Sequence, residues 1–426
     1  MKKEEYKIHI VGAGISGLIA AQILENHGYA PVIVEATDRA GGRVKTDVID
    51  GYQLDHGFQV LLTAYPAAQK YLDFEKLSLQ KFLSGASIFT NGKLKTIGDP
   101  IRNASLLIPT LFSNIGNFSD KIKVLRLNAM LKKKSITDIF RDNEMSTLTY
   151  LQDYGFSEEM INQFFRPFFS GIFLEPNLET SSRMFQFVYK MFGEGDAALP
   201  KDGIEAIITQ LVSKLKKTKF LYNTSVKQVI DGSVFLDNGE ELKSDFTIVA
   251  TQAHQLIPNL NNQEMEWRSC DTLYFEVDDS VIDKPLIGLI ADKDALINNI
   301  FYHTSLKTSG TPKKELLSVT VVKDHHHDEK ELIKEVIGEL DRFCGITGCT
   351  FMKHYHIKNA LPKLQNLQYE LSETETKLTT RIFLAGDQLL NGSLNAAMIS
   401  GERAALGIIK TLEDGLIVEE FTSEFN

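Results

Sequence analysis

A glycine-rich turn close to the start of the chain constrains the possible folds more than any other feature of the sequence. Gly12, Gly14 and Gly17 separate a β-branched run at residues 7–11 from apolar residues that recur at helical spacing over residues 15–27. The turn therefore joins a strand to a helix, with Gly12 allowing the tight bend, Gly14 the close approach of a pyrophosphate, and Gly17 tight packing of helix on strand. Free amides and the helix dipole hold phosphate at such a helix start. The residues predicted to form this phosphate site are Gly12, Ala13, Gly14, Ile15, Ser16 and Gly17.

An acidic residue follows the second strand at the position where a dinucleotide site needs one. Residues 31–34 form an apolar, β-branched run, and Glu35 and Ala36 come directly after it. A carboxylate there accepts hydrogen bonds from the adenosine ribose hydroxyls and repels a 2′-phosphate, which disfavours NADP. Strand, helix, second strand and acid in this order predict a dinucleotide-binding unit.

Composition sets the broad class of the protein. The chain has 426 residues, of which 43% are hydrophobic and 24% charged, and its net charge is −10. These values are typical of a globular protein with about two or three domains, and the acidic balance argues against nucleic acid as a partner. The sequence shows no apolar leader before the first strand and no apolar run of the ~18 residues that a membrane-spanning helix needs, so the expected location is the cytoplasm.

Neither the cysteines nor a run of histidines predicts a metal site. The three cysteines are too few for a disulfide framework, and Cys344 and Cys349 lack both CxxC spacing and a second ligand pair. The histidines at 325–327 could supply metal ligands. Because Asp328 and Glu331 form the pattern of a capping box at the start of an amphipathic helix, we interpret the histidine run as a solvated loop.

Further motifs extend the predicted site along a bound dinucleotide. The segment 39–43 places two arginines and two adjacent glycines just after the ribose acid, and an alternating strand follows over residues 51–58. The positions of Arg39, Gly41, Gly42 and Arg43 would let a second stretch of backbone, with two positive charges, run along the same pyrophosphate. Near the C-terminus, an apolar strand ends in Gly386 and Asp387 and is followed by a helix of small residues.

Together these motifs resemble the FAD-dependent amine oxidase and phytoene desaturase superfamily, which includes protoporphyrinogen oxidase. Residues 199–204 and the strands at 223–229 and 245–251 resemble the part of that family in which the chain re-enters the FAD domain. The resemblance implies an α/β fold in which a Rossmann-like FAD-binding domain, of the glutathione-reductase-like, amine-oxidase type, has an interleaved substrate domain of mixed sheet plus helical cap. The implied boundaries are 1–80, 195–265 and 375–426 for the discontinuous FAD domain, and 81–194 and 266–374 for the substrate domain.

The resemblance also implies roles for residues around a non-covalently bound FAD. Val226 would meet the adenine through its backbone, and Ala250 and Thr251 would lie near the pyrophosphate. Asp387 would hold ribityl hydroxyls, the alternative for an acid after a strand being a helix cap. Gly57, Phe58 and Gln59 would pass beside the isoalloxazine ring. The backbone amides of Leu394, Asn395 and Ala396, at the start of the last helix, would stabilise the negative charge of the reduced ring.

The substrate side carries fewer motifs. Residues 81–191 are expected to be mainly helical, with strands at 267–275 and 297–322 closing a sheet over the flavin. Aromatic residues crowd the segments 164–173 and 184–192, where they form either the core of the cap or the lining of an apolar cavity. The turn breaks in the helical part fall at Pro100, Pro109 and Gly155.

Three polar residues are candidates for contact with the substrate: His56, Arg166 and Tyr302. Each has a purely structural alternative, as a packed strand histidine, a salt-bridge partner and a core residue respectively. The reaction expected from the resemblance is a two-electron dehydrogenation in which hydride passes to flavin N5 and oxygen or another acceptor reoxidises the flavin. Orientation in a dry pocket would supply most of the catalysis.

Two departures from the amine-oxidase pattern favour a bulky, apolar substrate. Monoamine-oxidase-like relatives place a lysine in the strand at 270–275 and a tyrosine where this chain has Ser393, and neither is present here. Loss of the aromatic cage weakens the case for an amine. A flavin amine oxidase, a non-redox flavin isomerase and a flavin-free escort protein for prenylated partners remain as alternatives.

One segment adds a possible partner. Residues 101–134 combine an apolar stretch at 106–112 with several lysines and arginines. Such a segment suits peripheral contact with an anionic membrane and admission of a lipid-like substrate. The alternative is an ordinary amphipathic cap helix with a solvated basic end.

Overall fold

The computed structural model describes residues 2–98, 115–261 and 263–413. The strands of this part are β1 (Ile8–Val11), β2 (Val32–Val34), β3 (Thr46–Ile49), β4 (Tyr52–Asp55), β5 (Leu61–Leu62), β6 (Gln80–Lys81), β7 (Gly85–Thr90), β8 (Lys93–Gly98), β9 (Ala197–Leu199), β10 (Lys219–Leu221), β11 (Val226–Ile230), β12 (Ser233–Leu236), β13 (Glu241–Lys243), β14 (Phe246–Val249), β15 (Trp267–Val277), β16 (Ile287–Ile290), β17 (Ile297–Tyr302), β18 (Glu315–Val321), β19 (Thr350–Pro362) and β20 (Ile382–Leu384). The α-helices are α1 (Ile15–Asn26), α2 (Pro66–Tyr71), α3 (Phe118–Lys133), α4 (Ile136–Arg141), α5 (Thr147–Asp153), α6 (Glu158–Met160), α7 (Arg166–Phe173), α8 (Ser182–Glu194), α9 (Ala206–Lys214), α10 (Ala253–Leu256), α11 (Glu329–Cys344) and α12 (Leu394–Glu413).

A five-stranded parallel sheet forms the first layer, with strand order β10-β2-β1-β14-β20. Its central strands β1 and β14 are buried on both faces, as expected where helices cover both sides of a parallel sheet. Helix α1 connects β1 to β2, and the strand order changes direction beside β1. Ligands of doubly wound sheets bind at the carboxyl ends of strands at such a point.

Two glycines let α1 sit close to its neighbours. A Cβ atom at Gly17 would lie 2.1 Å from the carbonyl oxygen of Gly12, and one at Gly401 would lie 2.2 Å from the carbonyl oxygen of Ser16. Both separations are far below van der Waals contact. The last helix, α12, therefore packs directly on α1 and brings the C-terminal motif to the glycine-rich turn.

A seven-stranded mixed sheet forms the second layer, with strand order β19-β15-β18-β17-β16-β7-β8. Its pairs are antiparallel except for β16 with β7. Helix α11 packs on one face and closes a separate apolar core there. Together with the helices from α3 to α8, the sheet forms the mixed α/β arrangement expected from the sequence, so the predicted fold class is confirmed.

The expectation of a mainly helical segment from residue 81 is wrong at its beginning. Residues 85–90 and 93–98 form the hairpin β7–β8, and β7 joins the large sheet through β16. The partner strand lies about two hundred residues further along the chain, so local periodicity carries no sign of the pairing. Gly155 follows α5 with a φ of +86°, as expected for a break. Pro100 and Pro109 lie outside the described residues.

Candidate active site

One large cavity of about 910 Å³ lies between the two sheets and the cap helices. This volume is near the upper end of the roughly 300–1,000 Å³ typical of ligand pockets. One half is lined by the glycine-rich turn, Glu35 and the start of α12, and the other by aromatic residues of the cap and the floor of the large sheet. The sequence motifs predicted to bind a dinucleotide thus open into the same space as the aromatic segments.

The start of α1 presents free backbone donors to this cavity. Its N-cap residue is Gly14, and no side chain caps the helix. A Cβ atom at Gly14 would meet nothing within 4 Å, whereas Gly12 has a φ of +103°, which only glycine adopts easily. The first amides of a helix have no intrahelical acceptor. This corner of the cavity therefore suits an anionic group.

Glu35 is held rigidly at the end of β2. Its carboxylate accepts hydrogen bonds from the amide of Ala13 at 2.8 Å, from the amide of Thr37 at 2.9 Å and from the Thr37 hydroxyl at 2.8 Å. The residue is buried but lines the cavity. Because Oε1 accepts both bonds from Thr37 whereas Oε2 accepts only the Ala13 amide, Oε2 keeps a lone pair with which Glu35 can accept a hydroxyl donor from a ligand.

The adjacent glycines Gly41 and Gly42 pack against the glycine-rich turn. Gly42, with a φ of +59°, is so close to the turn that an added Cβ would lie 3.4 Å from Cα of Gly14. The amide of Gly41 donates to the carbonyl of Ala13 at 3.0 Å. Gly41, Gly42 and Arg43 line the cavity, whereas Arg39 faces away and forms ion pairs with Asp47 and Glu205.

Arg43 connects this loop to the C-terminal motif. Its Nη2 atom lies 2.5 Å from Oδ1 of Asp387, and its Nη1 atom donates to the carbonyl of Ala360 at 3.0 Å. The guanidinium also lies 5.3 Å from the ring of Trp267. Asp387 therefore does more than cap a helix: it is buried, lines the cavity and is paired with a cation.

The start of α12 differs from the expectation in one respect. Ser393 caps this helix, because its hydroxyl accepts the amide of Ala396 at 3.0 Å. That amide is therefore engaged inside the protein, and the prediction that it is a free donor is wrong. Leu394 and Asn395 precede it at the helix start, where amides lack intrahelical acceptors. The carboxamide of Asn395 is turned inward and accepts the amide of Ala67 at 3.0 Å.

Most residues predicted to bind the cofactor meet at the cavity. Those that line it are Gly12, Gly14, Ile15, Ser16, Glu35, Gly41, Gly42, Arg43, Gly57, Phe58, Gln59, Ala250, Thr251, Gly386, Asp387 and Leu394. The structure does not bring the remaining predicted residues to its surface; these are Ala13, Gly17, Ala36, Arg39, Val226, Asn395 and Ala396. Ala13 and Gly17 shape the turn from behind, and Ala36 is exposed.

Of the three polar residues predicted to face a substrate, His56 lines the cavity. Its Nε2 atom lies 2.9 Å from Oδ2 of Asp47, and its ring stacks on Tyr355 with centroids 4.4 Å apart. Burial alone would raise the pKa of Asp47, but hydrogen bonds from Tyr355, His56 and Arg39 outweigh it and lower that pKa to about 2. A permanently ionised Asp47 thus orients the imidazole.

Arg166 and Tyr302 lie away from the cavity lining. Arg166 donates to Oδ1 of Asn162 at 3.1 Å and to the carbonyl of Pro176 at 2.8 Å, so it ties together the two ends of a cap segment, and it forms no salt bridge with any described residue. Tyr302 is 1% exposed and packs in the apolar core beneath α11. Both residues therefore make structural contacts outside the cavity lining.

The far half of the cavity is apolar. Aromatic rings from the cap, from the loop after β4 and from the loop after β6 form much of its wall; they include Phe58, Phe82, Phe164, Phe168, Tyr189 and Phe192. Other rings of the segments 164–173 and 184–192 are buried in the core of the cap and do not line the cavity, among them Phe165, Phe173 and Phe185. Both interpretations of the aromatic segments are therefore correct for different faces of the same helices.

The histidine run is not wholly solvated, contrary to the expectation. Asp328 and Glu331 do form the capping box of α11. His325, however, folds back so that its Nε2 atom lies 3.2 Å from the carboxylate of Asp271, where His354 and His356 also bind at 2.6 and 2.9 Å. Within the described ranges, no group of three or more His, Cys, Asp or Glu side chains is arranged to hold a metal ion.

Sequence reasoning missed several residues that line the cavity. Trp267, Cys270, Asn299 and Thr320 reach it from the large sheet. Side chains alternate between the two faces of strands β15, β17 and β18, so the sequence assigns each of these residues to one face. Which face meets the cavity depends on how distant strands pair. Only Ser393, a good N-cap residue before an apolar helix, carried a local signal of its role.

Comparison with known proteins agrees with this geometry. The family model of the flavin containing amine oxidoreductases matches residues 15–409. The chain is 25% identical over 321 residues to 4,4′-diapolycopen-4-al dehydrogenase of Metabacillus indicus, covering 66% of this chain and 64% of that one. It is 26% identical over 165 residues to protoporphyrinogen oxidase 2 of Arabidopsis thaliana, covering 39% and 32% of the two chains. The chain thus spans less than two thirds of the length of these curated relatives.

Solved structures show the same fold. An oxidoreductase from Methanosarcina mazei superposes with a TM-score of 0.72 at 14% identity and covers 95% of this chain and 100% of its own. The match of the family model extends over most of the chain, from the helix after the glycine-rich turn to the last helix. The chain belongs to the flavin containing amine oxidoreductase family.

Proposed function

We propose that this protein is an FAD-dependent oxidoreductase that dehydrogenates a bulky, largely apolar small molecule by a two-electron step. When bound, FAD supplies a hydride acceptor at N5 of its ring, and oxygen or another acceptor then takes up the electrons. The observation that carries the proposal is that one continuous cavity joins the glycine-rich turn to its apolar, aromatic-lined far half, called here the apolar chamber. Family membership supports the same reading.

The residues present fit FAD. The uncapped start of α1 and the open space at Gly14 would take the pyrophosphate, and Glu35 would accept the ribose hydroxyls. Asp387 would hold the ribityl chain while paired with Arg43. The amide of Leu394, which lines the cavity at the start of α12, would stabilise charge on the ring. As a further part of the proposal, we retain the division into a discontinuous FAD domain and an interleaved substrate domain.

The apolar chamber would act on the substrate by holding it and excluding water. Aromatic walls give a large contact area, and a dry surrounding strengthens every charge interaction at the reacting carbon. A substrate held against the flavin in one orientation loses little further entropy on reaction. His56, fixed by Asp47 and Tyr355, lies at the chamber's edge, where its imidazole would face the substrate.

An amine substrate is the second candidate, because amine oxidases share this fold. Among the described residues, the carboxylates that line the cavity are Glu35 and Asp387, and both lie on the dinucleotide side. The chamber thus offers an ammonium group no acid, while Ser393 is committed to capping α12. These features favour an uncharged, apolar substrate.

A peripheral membrane site is also part of this proposal. Helix α3 carries Phe118, Leu125 and Met130, which are 73%, 47% and 39% exposed, and the first two also line the cavity. Lys132 and Lys133 follow at the exposed end of the helix. An apolar mouth flanked by cations suits an anionic lipid surface. The apolar stretch at 106–112 lies outside the described residues, within which no helix is long and apolar enough to span a membrane.

Purification under mild conditions tests the cofactor first. A protein that co-purifies with stoichiometric, acid-extractable FAD supports the proposal and rejects an escort protein, whereas a colourless protein that fails to bind added FAD rejects the enzyme. Anaerobic bleaching by members of a panel of polyenes, porphyrinogens and amines then separates an oxidoreductase from an isomerase. Bleaching by amines alone would overturn the apolar substrate.

A further inference from the structure

A pair of buried polar side chains interrupts the apolar chamber. Asn299 on β17 and Thr320 on β18 are direct partners across the large sheet, so their side chains share one face. They are 1% and 3% exposed, yet both line the cavity. Buried polar groups are normally fully hydrogen-bonded, so their partners can be counted.

The orientation of the Asn299 amide is fixed by its neighbours. Nδ2 of Asn298 donates to the carbonyl of Pro167 at 3.0 Å, which identifies it as the nitrogen, and it also donates to Oδ1 of Asn299 at 2.9 Å. Nδ2 of Asn299 therefore points to Thr320 and donates to its hydroxyl oxygen at 3.3 Å. The protein's own contacts thus aim the donor side of this amide at Thr320, which also lines the cavity.

The pair keeps two hydrogens to donate. Nδ2 of Asn299 carries a second N–H, and the Thr320 hydroxyl, which accepts from Asn299, retains its own proton. Within the described part of the chain no group accepts either hydrogen. Thr272, the partner of Thr320 on β15, is fully buried and its hydroxyl also has no partner there. Asn299, Thr320 and Thr272 therefore carry more hydrogen-bond donors than the described part of the protein supplies with acceptors.

The surroundings select the kind of group that these donors suit. Among the described lining residues, the Asp, Glu, Lys, Arg and His side chains are Glu35, Arg43, His56 and Asp387 around the dinucleotide half, and Lys121 on α3 beside the exposed Phe118. An anion at Asn299 would be buried without a cation, which is costly. An ammonium group would meet donors instead of acceptors. An uncharged oxygen satisfies both constraints.

We propose that Asn299 and Thr320 bind an uncharged oxygen, that of a carbonyl, ether or hydroxyl group, on an otherwise apolar substrate. This inference rests on the proposed function and names the substrate class of the same cavity. Two donors that bind the same oxygen inside the apolar chamber determine how far the substrate enters and how it is positioned along the chamber. They thereby determine which carbon lies against the flavin.

Two probes of the same shape test the pair in the purified, FAD-loaded protein. Benzophenone and diphenylmethane differ by one carbonyl oxygen, and calorimetric titration gives the affinity of each. We expect benzophenone to bind about tenfold more tightly, as about 1.4 kcal/mol of net hydrogen bonding implies. Thr320→Val and Asn299→Leu should each reduce that preference to less than about threefold, with the affinity for diphenylmethane kept or improved.

Thr90→Val is the matched control, because Thr90 is buried in β7 of the same sheet and lies outside the cavity lining. It should leave the tenfold preference intact. Equal affinity of the wild-type protein for the two probes, or a preference that survives Thr320→Val, would overturn the inference. The FAD content of each preparation is measured separately, so that failure of the cofactor proposal is distinguished from failure of the oxygen site.

Discussion

Nη2 of Arg43 lies 2.5 Å from Oδ1 of Asp387, and this ion pair joins the loop after β2 to the turn that precedes α12. The side chain of Asp387 is 5% exposed and that of Arg43 is 41% exposed. The two residues come from opposite ends of the chain, and both line the cavity. The pair therefore locks together the two segments proposed to enclose the cofactor.

Replacing Arg43 should loosen the cofactor more than the fold. Arg43→Gln leaves the buried Asp387 carboxylate without its cation, and we expect FAD to dissociate about tenfold more readily, for a loss of about 1.4 kcal/mol. Arg43→Lys should recover part of this, because an ammonium group can reach one of the two acceptors but not both. Ultrafiltration of the loaded protein, with flavin measured in the filtrate, gives the dissociation constant.

Arg403→Gln is the control for this experiment. Arg403 pairs with Glu373 at 2.7 Å with similar exposure, but lies outside the cavity lining. It should leave FAD binding unchanged within about twofold, as expected for a partly exposed ion pair remote from the ligand. Equal weakening by the two substitutions would show that the Arg43 effect is a general loss of stability.

The glycines of the first turn should separate folding from cofactor binding. An added Cβ at Gly14 meets nothing within 4 Å and projects where the cavity lies, so Gly14→Ala should fold with its stability changed by less than about 1 kcal/mol. Its affinity for FAD should fall by about tenfold or more. Thermal unfolding of the FAD-free protein and a fluorescence titration with FAD measure the two effects.

The companion variant is Gly17→Ala, whose Cβ would lie 2.1 Å from the Gly12 carbonyl oxygen. Overpacking of this kind costs about 1–3 kcal/mol, so this variant should lower the thermal midpoint of the FAD-free protein. A Gly14→Ala protein that binds FAD normally would remove the phosphate role of the turn. A Gly17→Ala protein as stable as wild type would contradict the packing argument.

Local motifs were readable from the sequence because each needs few distant partners. The strand, turn and helix around Gly14 are fixed by spacing and glycine chemistry, and Glu35 follows at the end of the next strand. The capping box at Asp328 and Glu331 is equally local. These elements were therefore predicted within one or two residues of their observed bounds.

Features that depend on pairing between strands far apart in the chain cannot be predicted from the local sequence. The hairpin β7–β8 is recruited by β16, and the donor pair of Asn299 and Thr320 exists only because β17 and β18 are in register. The Ala396 amide is withdrawn from the cavity by a serine three residues earlier, a competition that a family resemblance does not show. Arg166 lies within the aromatic segment 164–173, yet its guanidinium is held by Asn162 and Pro176.

Asp55 should make the stability depend on pH. Burial raises the pKa of this carboxyl from 3.8 to about 6, against hydrogen bonds from Thr46 and Ile204. Because the folded pKa lies above the unfolded one, the folded state holds the proton more tightly, and stability falls as the pH rises from about 4 to about 6. Asp55→Asn removes this titration while its carbonyl oxygen can still accept both hydrogen bonds.

The free energy of unfolding of Asp55→Asn relative to wild type should therefore rise by about 2 kcal/mol between pH 4.5 and pH 7.5. Denaturant titration of both proteins at the two pH values measures it. Asp73→Asn provides the comparison, since Asp73 is solvated and paired with Lys76 on the surface. A constant difference between Asp55→Asn and wild type over this pH range would show that Asp55 is ionised throughout.

Helix α3 should bind anionic vesicles through its exposed apolar residues. We expect the protein to pellet with vesicles of phosphatidylcholine and phosphatidylserine, and Phe118→Asp to reduce the partition coefficient about tenfold, since burying an aromatic side chain in an interface contributes about 1.5–3 kcal/mol. Val48→Asp is the matched control, because Val48 is 70% exposed but lies on β3. Pelleting that is independent of lipid, or lost equally in Val48→Asp, would contradict a membrane site at the cavity mouth.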